Sequence, residues 1–211
     1  MIYLDSALIH EAQEAIEMGW VKGITTNPTL LFKSNLSPEE TLIKLTKITP
    51  GELYYQLTSS DFESMVKEGK KAYSIIGEKT VLKVPATLIG FKVVAHLSSE
   101  INCSVTGIYS PAQAVIASEA GAKYAIAYVN RATRLLGDGL ALVRMMKELL
   151  KGSNTKILAA SLKSPEEAYM ALKEGADNIT IPLTLLKKMT THELSLKTVE
   201  DFNKNGIGIQ Y

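Results

Sequence analysis

The chain has 211 residues, 46% of them hydrophobic and 21% charged, which suits one globular domain with a single sizeable core. A formal charge of +1 at pH 7 steers it toward neither nucleic acid nor an anionic membrane, although a small anionic substrate needs only a local basic cluster. A single cysteine, Cys103, excludes an internal disulfide, no apolar run is long enough to span a bilayer, and Met1-Ile2-Tyr3-Leu4-Asp5 lacks the layout of a signal peptide, so a cytoplasmic home is expected.

Short β-rich runs alternate with amphipathic helical runs. The β-like runs are Ile2–Asp5, Gly23–Asn27, Leu53–Leu57, Thr80–Pro85, Asn102–Ile108, Tyr124–Val129, Lys156–Ser161 and Asn178–Pro182. Ser37 is the expected N-cap of a helix opened by Pro38-Glu39-Glu40, and Ser60 or Asp61 that of the next. Ser164 precedes Pro165-Glu166-Glu167 in the same way, and Gly175 reads as the stop of that helix. His192–Asn203 reads as an extra helix beyond the eighth strand. The tail from Gly206 to Tyr211 is apolar for a chain end, which suits either packing on a neighbouring subunit or simple fraying.

Eight strands, each followed by a helical run, predict an α/β protein: a single (β/α)8 TIM barrel over residues 1–211, compact beside the ~250 residues typical of the fold. The rival is an open doubly wound sheet, whose first turn is usually glycine-rich. Here that turn is Asp5-Ser6-Ala7-Leu8, without glycine, and no linker or low-complexity stretch divides the chain.

Strand side chains alternate between barrel interior and helix layer, and barrel active sites lie at the C-terminal ends of the strands. In Thr80-Val81-Leu82-Lys83-Val84-Pro85, Leu82 and Val84 face one way and Val81 and Lys83 the other. A lysine inside an apolar strand is costly unless its amine is neutral or paired, and a desolvated, neutral amine is a nucleophile toward carbonyls. A lysine snorkelling to solvent from a strand end is the ordinary alternative. Around it, Asp5, Asn27, Gln56, Thr106, Tyr128 and Ser161 stand near the ends of other strands. Each alone is commonly a cap or turn residue; together around one lysine they point to a site.

Other signals are bland. His10, His96 and His192 have no metal-ligand spacing. Cys103 is expected to face the helix layer, Met145 and Met146 to pack on a helix, and Trp20 to pack at the end of the first helix. Gly137-Asp138-Gly139 lacks the Lys-Ser/Thr of a phosphate loop and reads as a turn opening a helix.

Tyr3-Leu4-Asp5, Gly23-Ile24-Thr25-Thr26-Asn27-Pro28, Leu82-Lys83-Val84-Pro85-Ala86-Thr87, Tyr128-Val129-Asn130-Arg131, Ala159-Ala160-Ser161 and Thr180-Ile181-Pro182-Leu183 together resemble the transaldolase family, and within it the small fructose-6-phosphate aldolase-like branch. The resemblance covers nearly the whole chain. It implies a barrel that needs neither metal nor cofactor because Lys83 itself forms a Schiff base with a ketone. It also implies that Asp5 handles the proton of the hydroxyl beside the breaking bond, and that Thr25 and Asn27 hold substrate. Arg131 and Ser161 would hold a phosphate, which suits the planar guanidinium fork.

The family's true transaldolases carry a glutamate on the third strand and a phenylalanine on the sixth. Gln56 and Tyr128 stand there instead, as in the aldolase branch, whose tyrosine works with a water held by the positions of Gln56 and Thr106. Three departures bear on substrate choice. Ile126 replaces a small residue near the donor's terminal hydroxyl, Ser104 replaces an apolar residue or asparagine, and Arg134 offers a second anion contact.

The implied reaction is reversible cleavage of a ketose phosphate, such as fructose 6-phosphate, into a dihydroxyacetone-type ketone and an aldehyde. Transfer of the three-carbon unit between sugar phosphates, as in the pentose phosphate pathway, is the alternative; a sulfonated sugar is a variant. A silent sugar-phosphate-binding barrel is the reading from another class. The resemblance further implies a homo-oligomer, pentamer or decamer, with the C-terminal helix lying on a neighbour, and neither nucleic acid nor membrane as partner.

Overall fold

The computed structural model describes residues 1–209; Gln210 and Tyr211, the end of the apolar tail, lie outside the described residues. Eight parallel strands close into a barrel in chain order. They are β1 (Ile2–Asp5), β2 (Val21–Thr25), β3 (Glu52–Gln56), β4 (Thr80–Pro85), β5 (Cys103–Ile108), β6 (Tyr124–Tyr128), β7 (Lys156–Ala160) and β8 (Asn178–Ile181). The helices are α1 (Ile9–Glu17), α2 (Pro28–Phe32), α3 (Pro38–Ile48), α4 (Phe62–Ile76), α5 (Leu88–Leu97), α6 (Pro111–Glu119), α7 (Val129–Leu136), α8 (Gly139–Leu149), α9 (Pro165–Lys173), α10 (Leu183–Met189) and α11 (Glu193–Asn205). The architecture is the (β/α)8 barrel expected from the sequence. No helix among the described residues is long and apolar enough to cross a membrane.

Local chemistry sets the helix starts. Ser37 and Glu40 form a reciprocal capping box on α3, and Ser164 caps α9 by accepting from the Glu167 amide. At α4 the cap is Asp61 rather than Ser60. Asp138 accepts from the amides of Leu140 and Ala141, so the Gly137–Gly139 stretch is the turn into α8. Gly175, at φ 111°, follows α9 as its stop.

β1 and β4 keep the limits expected from the sequence; the other six strands shift by one or two residues at one or both ends, and two of these shifts bear on the site. The second strand begins at Val21 and ends at Thr25, so Asn27 does not close a strand. Pro28 cannot continue a ladder, and Asn27 instead takes an extended backbone (φ −152°) and caps α2, its Oδ1 accepting from the Leu30 amide at 3.0 Å. Gly23 sits within β2 because a Cβ there would lie 2.3 Å from the Glu52 carbonyl oxygen on β3. The sixth strand stops at Tyr128, and Val129 already begins α7.

Leu82, Val84 and Cys103 pack outward against the helices, while Tyr3, Tyr54, Val81, Tyr124, Ile126 and Leu158 form a separate inner cluster. Burial pushes the Cys103 thiol up to about 12, so it behaves as a core group. Met146 is buried, Met145 half-exposed, and Trp20 is 45% exposed rather than packed away. His10, His96 and His192 are exposed, and His192 caps α11 through Nδ1.

The N-terminal end of the barrel is closed by a polar plug. Glu52 accepts hydrogen bonds from Tyr3 (2.7 Å), Tyr54 (3.0 Å) and Tyr124 (3.0 Å) and pairs with Lys123 at 2.8 Å. Burial works to raise the Glu52 carboxyl, but the Lys123 ammonium and the phenols outweigh it and hold it below the ordinary carboxylate value. Glu52→Gln is expected to cost about 2 kcal/mol in urea unfolding, because the phenols lose a charged acceptor. A depressed carboxyl stabilises above its unfolded pKa and loses that contribution as pH falls through the folded one. The gap between the two proteins therefore narrows on acidification below the ordinary carboxylate range, and a gap constant with pH would contradict this account.

Candidate functional site

A cavity of about 440 Å³ opens among the strand ends, lined by Asp5, Thr25, Asn27, Gln56, Lys83, Ile126, Tyr128, Arg131 and Ser161. Pro28, Thr29, Leu30, Leu158, Ala160, Lys163 and Thr180 complete its wall. Each is placed by the alternation of a strand or by the first residues beyond it. A larger recess of about 600 Å³ lies by the start of β7, but its Arg144 and Lys147 are already paired with Glu174 (2.6 Å) and Asp177 (2.9 Å). No buried amine lines it as Lys83 lines the smaller cavity, which is therefore the candidate site.

Lys83 is 5% exposed, and its Nζ donates to the Thr26 carbonyl at 2.8 Å. Burial lowers the amine from its ordinary value, while the Asp5 carboxylate works in the opposite direction. The amine is thereby brought toward its neutral, nucleophilic form.

Asp5 is held by a chain of hydroxyls. Thr25 Oγ1 donates to Asp5 Oδ1 at 2.8 Å and lies 2.6 Å from Thr180 Oγ1. Since the single Thr25 proton serves Asp5, Thr180 donates to Thr25. This order fixes one carboxylate oxygen by a strong charge-assisted bond.

Across the barrel, Thr106 donates to the Tyr128 phenol oxygen at 3.1 Å. Thr106 precedes Gly107, whose left-handed backbone (φ 75°) sits where the β5–β6 register shifts between Val105 and Ile108. The Tyr128 ring meets Tyr109 edge-on at 6.0 Å and carries the Arg131 guanidinium 5.2 Å from its centroid. Gln56 Oε1 is buried without a hydrogen-bond partner, leaving an acceptor for a water or a ligand hydroxyl.

The mouth is cationic. Glu167 accepts from Asn130 Nδ2 at 2.5 Å and from the Lys163 amide at 2.6 Å, tying the start of α7 to the segment after β7. Arg131, Ser161 and Lys163 thereby share one rim. Ser161 holds a left-handed backbone (φ 61°), a conformation that costs a non-glycine residue about 1 kcal/mol or more and recurs at functional sites.

Of the residues singled out from sequence, Ser104 and Arg134 do not line the cavity. Ser104 is fully buried and spends its hydroxyl on the Leu82 carbonyl at 3.0 Å; Arg134 is exposed on α7, one turn beyond Arg131. Thr106 reaches the site through Tyr128 rather than by lining it. Lys163 and Thr180 were not identified by sequence reasoning. The signal for Thr180 was its same-face alternation with Asn178; for Lys163 it was a cation two residues past Ser161. Among the described residues, no group of three or more His, Cys, Asp or Glu side chains is arranged to hold a metal ion.

Fold and site together define an α/β barrel with a buried lysine in a cavity at its C-terminal end. A model of the transaldolase/fructose-6-phosphate aldolase family matches residues 2–208, and the chain belongs to that family. It is therefore an enzyme of the class I aldolase or transaldolase type. A probable transaldolase of Nitrosopumilus maritimus (strain SCM1) is 38% identical over 97% of this chain and 93% of its own length. One from Shouchella clausii (strain KSM-K16) is 36% identical over 97% and 98%. Among solved structures, an inosine 5′-monophosphate dehydrogenase from Legionella pneumophila superposes with a TM-score of 0.63 at 15% identity, covering 87% of this chain and 58% of that one. A mandelate oxidase with (S)-2-phenylpropionate gives 0.60 at 17% identity, covering 92% and 64%. These two likenesses show the barrel alone.

Proposed function

We propose that the chain is a Schiff-base aldolase that cleaves and forms a ketose phosphate such as fructose 6-phosphate, with Lys83 as its nucleophile. The observation that carries this reading is the buried Lys83 amine, in one cavity with a hydrogen-bonded carboxylate, a phenol and a cationic rim. No metal or cofactor is needed, because the protonated imine is itself the electron sink.

The steps follow from the groups present. The neutral Lys83 amine adds to the ketone carbonyl, and loss of water leaves an iminium. Asp5 removes the proton of the hydroxyl beside the bond to be broken. That bond cleaves, its electron pair flowing into the iminium to give an enamine, and the aldehyde leaves. Protonation of the enamine and hydrolysis return the ketone and Lys83. Tyr128, with a water at Gln56 Oε1 and Thr106, moves protons during dehydration and enamine protonation. Asn27 still has its amide N–H groups to offer substrate hydroxyls, since only its oxygen is used in capping. Arg131, Ser161 and Lys163 suit a phosphate or sulfonate.

The curated relatives are named probable transaldolases, which favours a second reading in which the enamine waits for another aldehyde. Tyr128, free to protonate the enamine, favours release. Measuring free ketone against transfer to erythrose 4-phosphate separates the two; transfer with negligible release would displace the aldolase reading.

We also propose a homo-oligomer, pentamer or decamer. Every residue of α11 is exposed, including Leu194, Leu196, Val199 and Phe202, so its apolar side chains have no cover among the described residues. Sedimentation velocity is expected to show an assembly that Phe202→Glu weakens at least tenfold; a monomer at micromolar concentration would contradict it.

A further inference from the structure

We propose that Glu167 is a positioning residue for the charged end of the substrate. Without touching that end, its carboxylate sets the spacing of Arg131, Ser161 and Lys163 and so makes the enzyme selective for phosphorylated aldehydes. This rests on the reading above that the rim holds a phosphate.

The same run, Ser-Pro-Glu-Glu, opens both α3 and α9, and the two copies are used differently. At α3, from Ser37 to Glu40, the last glutamate turns back on its own cap, and its Oε2 accepts from the Ser37 amide at 3.1 Å. That closed box is the ordinary outcome of the motif. At α9, from Ser164 to Glu167, only half of the box forms. Ser164 Oγ accepts from the Glu167 amide at 3.1 Å, but the Glu167 carboxylate is not bonded to the Ser164 amide. It spans two strand ends instead. Its Oε1 accepts from Asn130 Nδ2 at 2.5 Å, at the start of α7, and its Oε2 from the Lys163 amide at 2.6 Å, after β7.

What lies between these two anchors explains the difference. Asn130 adjoins Arg131 on α7, and the Asn130 amide also donates to the Ser161 carbonyl at 3.3 Å. Ser161 is thus held by its own carbonyl on one side and by the Lys163 amide on the other. Its left-handed backbone, φ 61°, needs such bracketing, because that conformation persists only where the surroundings over-determine it. The carboxylate does this without consuming the cations. Among the described residues neither Arg131 nor Lys163 is ion-paired. Both side chains are exposed and long, so the placing of their backbones is what keeps their charges in register. Glutamate suits the post because it accepts through both oxygens and donates nothing, and both its partners are donors. Glutamine would turn an amide N–H group toward one of them. A phosphate presents several anionic oxygens and needs several donors at a fixed separation, whereas a hydroxyl is satisfied by one. Loss of the bracket therefore weakens phosphorylated substrates selectively.

The test runs the reaction in the forming direction, with dihydroxyacetone as donor and either glyceraldehyde 3-phosphate or glyceraldehyde as acceptor. Its readout is the ratio of the two kcat/KM values. Glu167→Ala is expected to lower that ratio about tenfold or more, the loss lying in KM for glyceraldehyde 3-phosphate rather than in kcat. Glu167→Gln, which keeps one acceptor, is expected to lower it by less, and it serves alone should Glu167→Ala fail to fold. General loosening of the fold would slow both acceptors alike, so an unchanged ratio in the folded variants would overturn the inference. Arg131→Ala separates this from the reading beneath it. If Arg131→Ala collapses the ratio while the Glu167 variants leave it intact, only the role of Glu167 falls. If Arg131→Ala also leaves it intact, the phosphate rim falls with it.

Discussion

Lys83→Arg is expected to lower kcat for ketose phosphate cleavage by roughly 10⁴-fold or more, since loss of a covalent nucleophile removes the whole covalent route. Arginine keeps positive charge at any workable pH and offers no neutral amine to a carbonyl. Lys83→Met, with similar length and no charge, serves as a partner variant. It is expected to fold at least as well as the parent, because an apolar side chain replaces an amine that is 5% exposed among buried neighbours. Both variants should give native circular dichroism, so their inactivity reads on chemistry. The parent carries a further signature. Because burial lowers the Lys83 amine, its neutral form persists to lower pH than that of an exposed lysine. The acid limb of kcat/KM should therefore fall below the ordinary lysine value, and activity confined to strongly alkaline solution would contradict it.

The second large effect is expected from Tyr128→Phe. The substitution keeps the ring that meets Tyr109 edge-on and supports Arg131. It removes only the oxygen that accepts from Thr106 at 3.1 Å. Loss of one positioned proton-transfer group typically costs 10²–10⁴-fold, so kcat should drop by about 100-fold or more with KM nearly unchanged. The iminium should still form, only more slowly, and enamine protonation should suffer most. Transfer to an added aldehyde would therefore gain relative to free ketone release. A Tyr128→Phe protein with unchanged release would remove the phenol from the mechanism. Single-turnover trapping resolves the two steps, because iminium formation and ketone release are then timed separately.

The barrel was legible because its repeat is written locally. β4 has the same limits in sequence and structure, since Leu82 and Val84 alternate with Val81 and Lys83 and both faces are buried. Periodicity also assigned Cys103 to the helix layer. What it could not assign were neighbours across the ring. Thr180 touches Thr25 only because β8 closes on β1, a contact 155 residues apart in sequence. Asn27 was read as a strand end because asparagine terminates strands and caps helices with equal ease; the short α2 decided it. Arg134 looked equivalent to Arg131 in spacing, but the helix carried it away from the cavity. Ser104 pointed inward as alternation requires, yet the Leu82 carbonyl had already claimed its hydroxyl. In each case the residue type was informative and its partner was not, because partners are set by the closure of the barrel.

On the proposed mechanism Lys83 forms a covalent iminium with its ketone substrate. The most direct measurement is borohydride reduction in the presence of hydroxyacetone, dihydroxyacetone or fructose 6-phosphate, followed by peptide mapping by mass spectrometry. A reduced adduct is expected on the peptide containing Lys83 and on no other lysine peptide, lost in Lys83→Met. An unmodified Lys83 with all three compounds, while calorimetry shows fructose 6-phosphate bound, would contradict it.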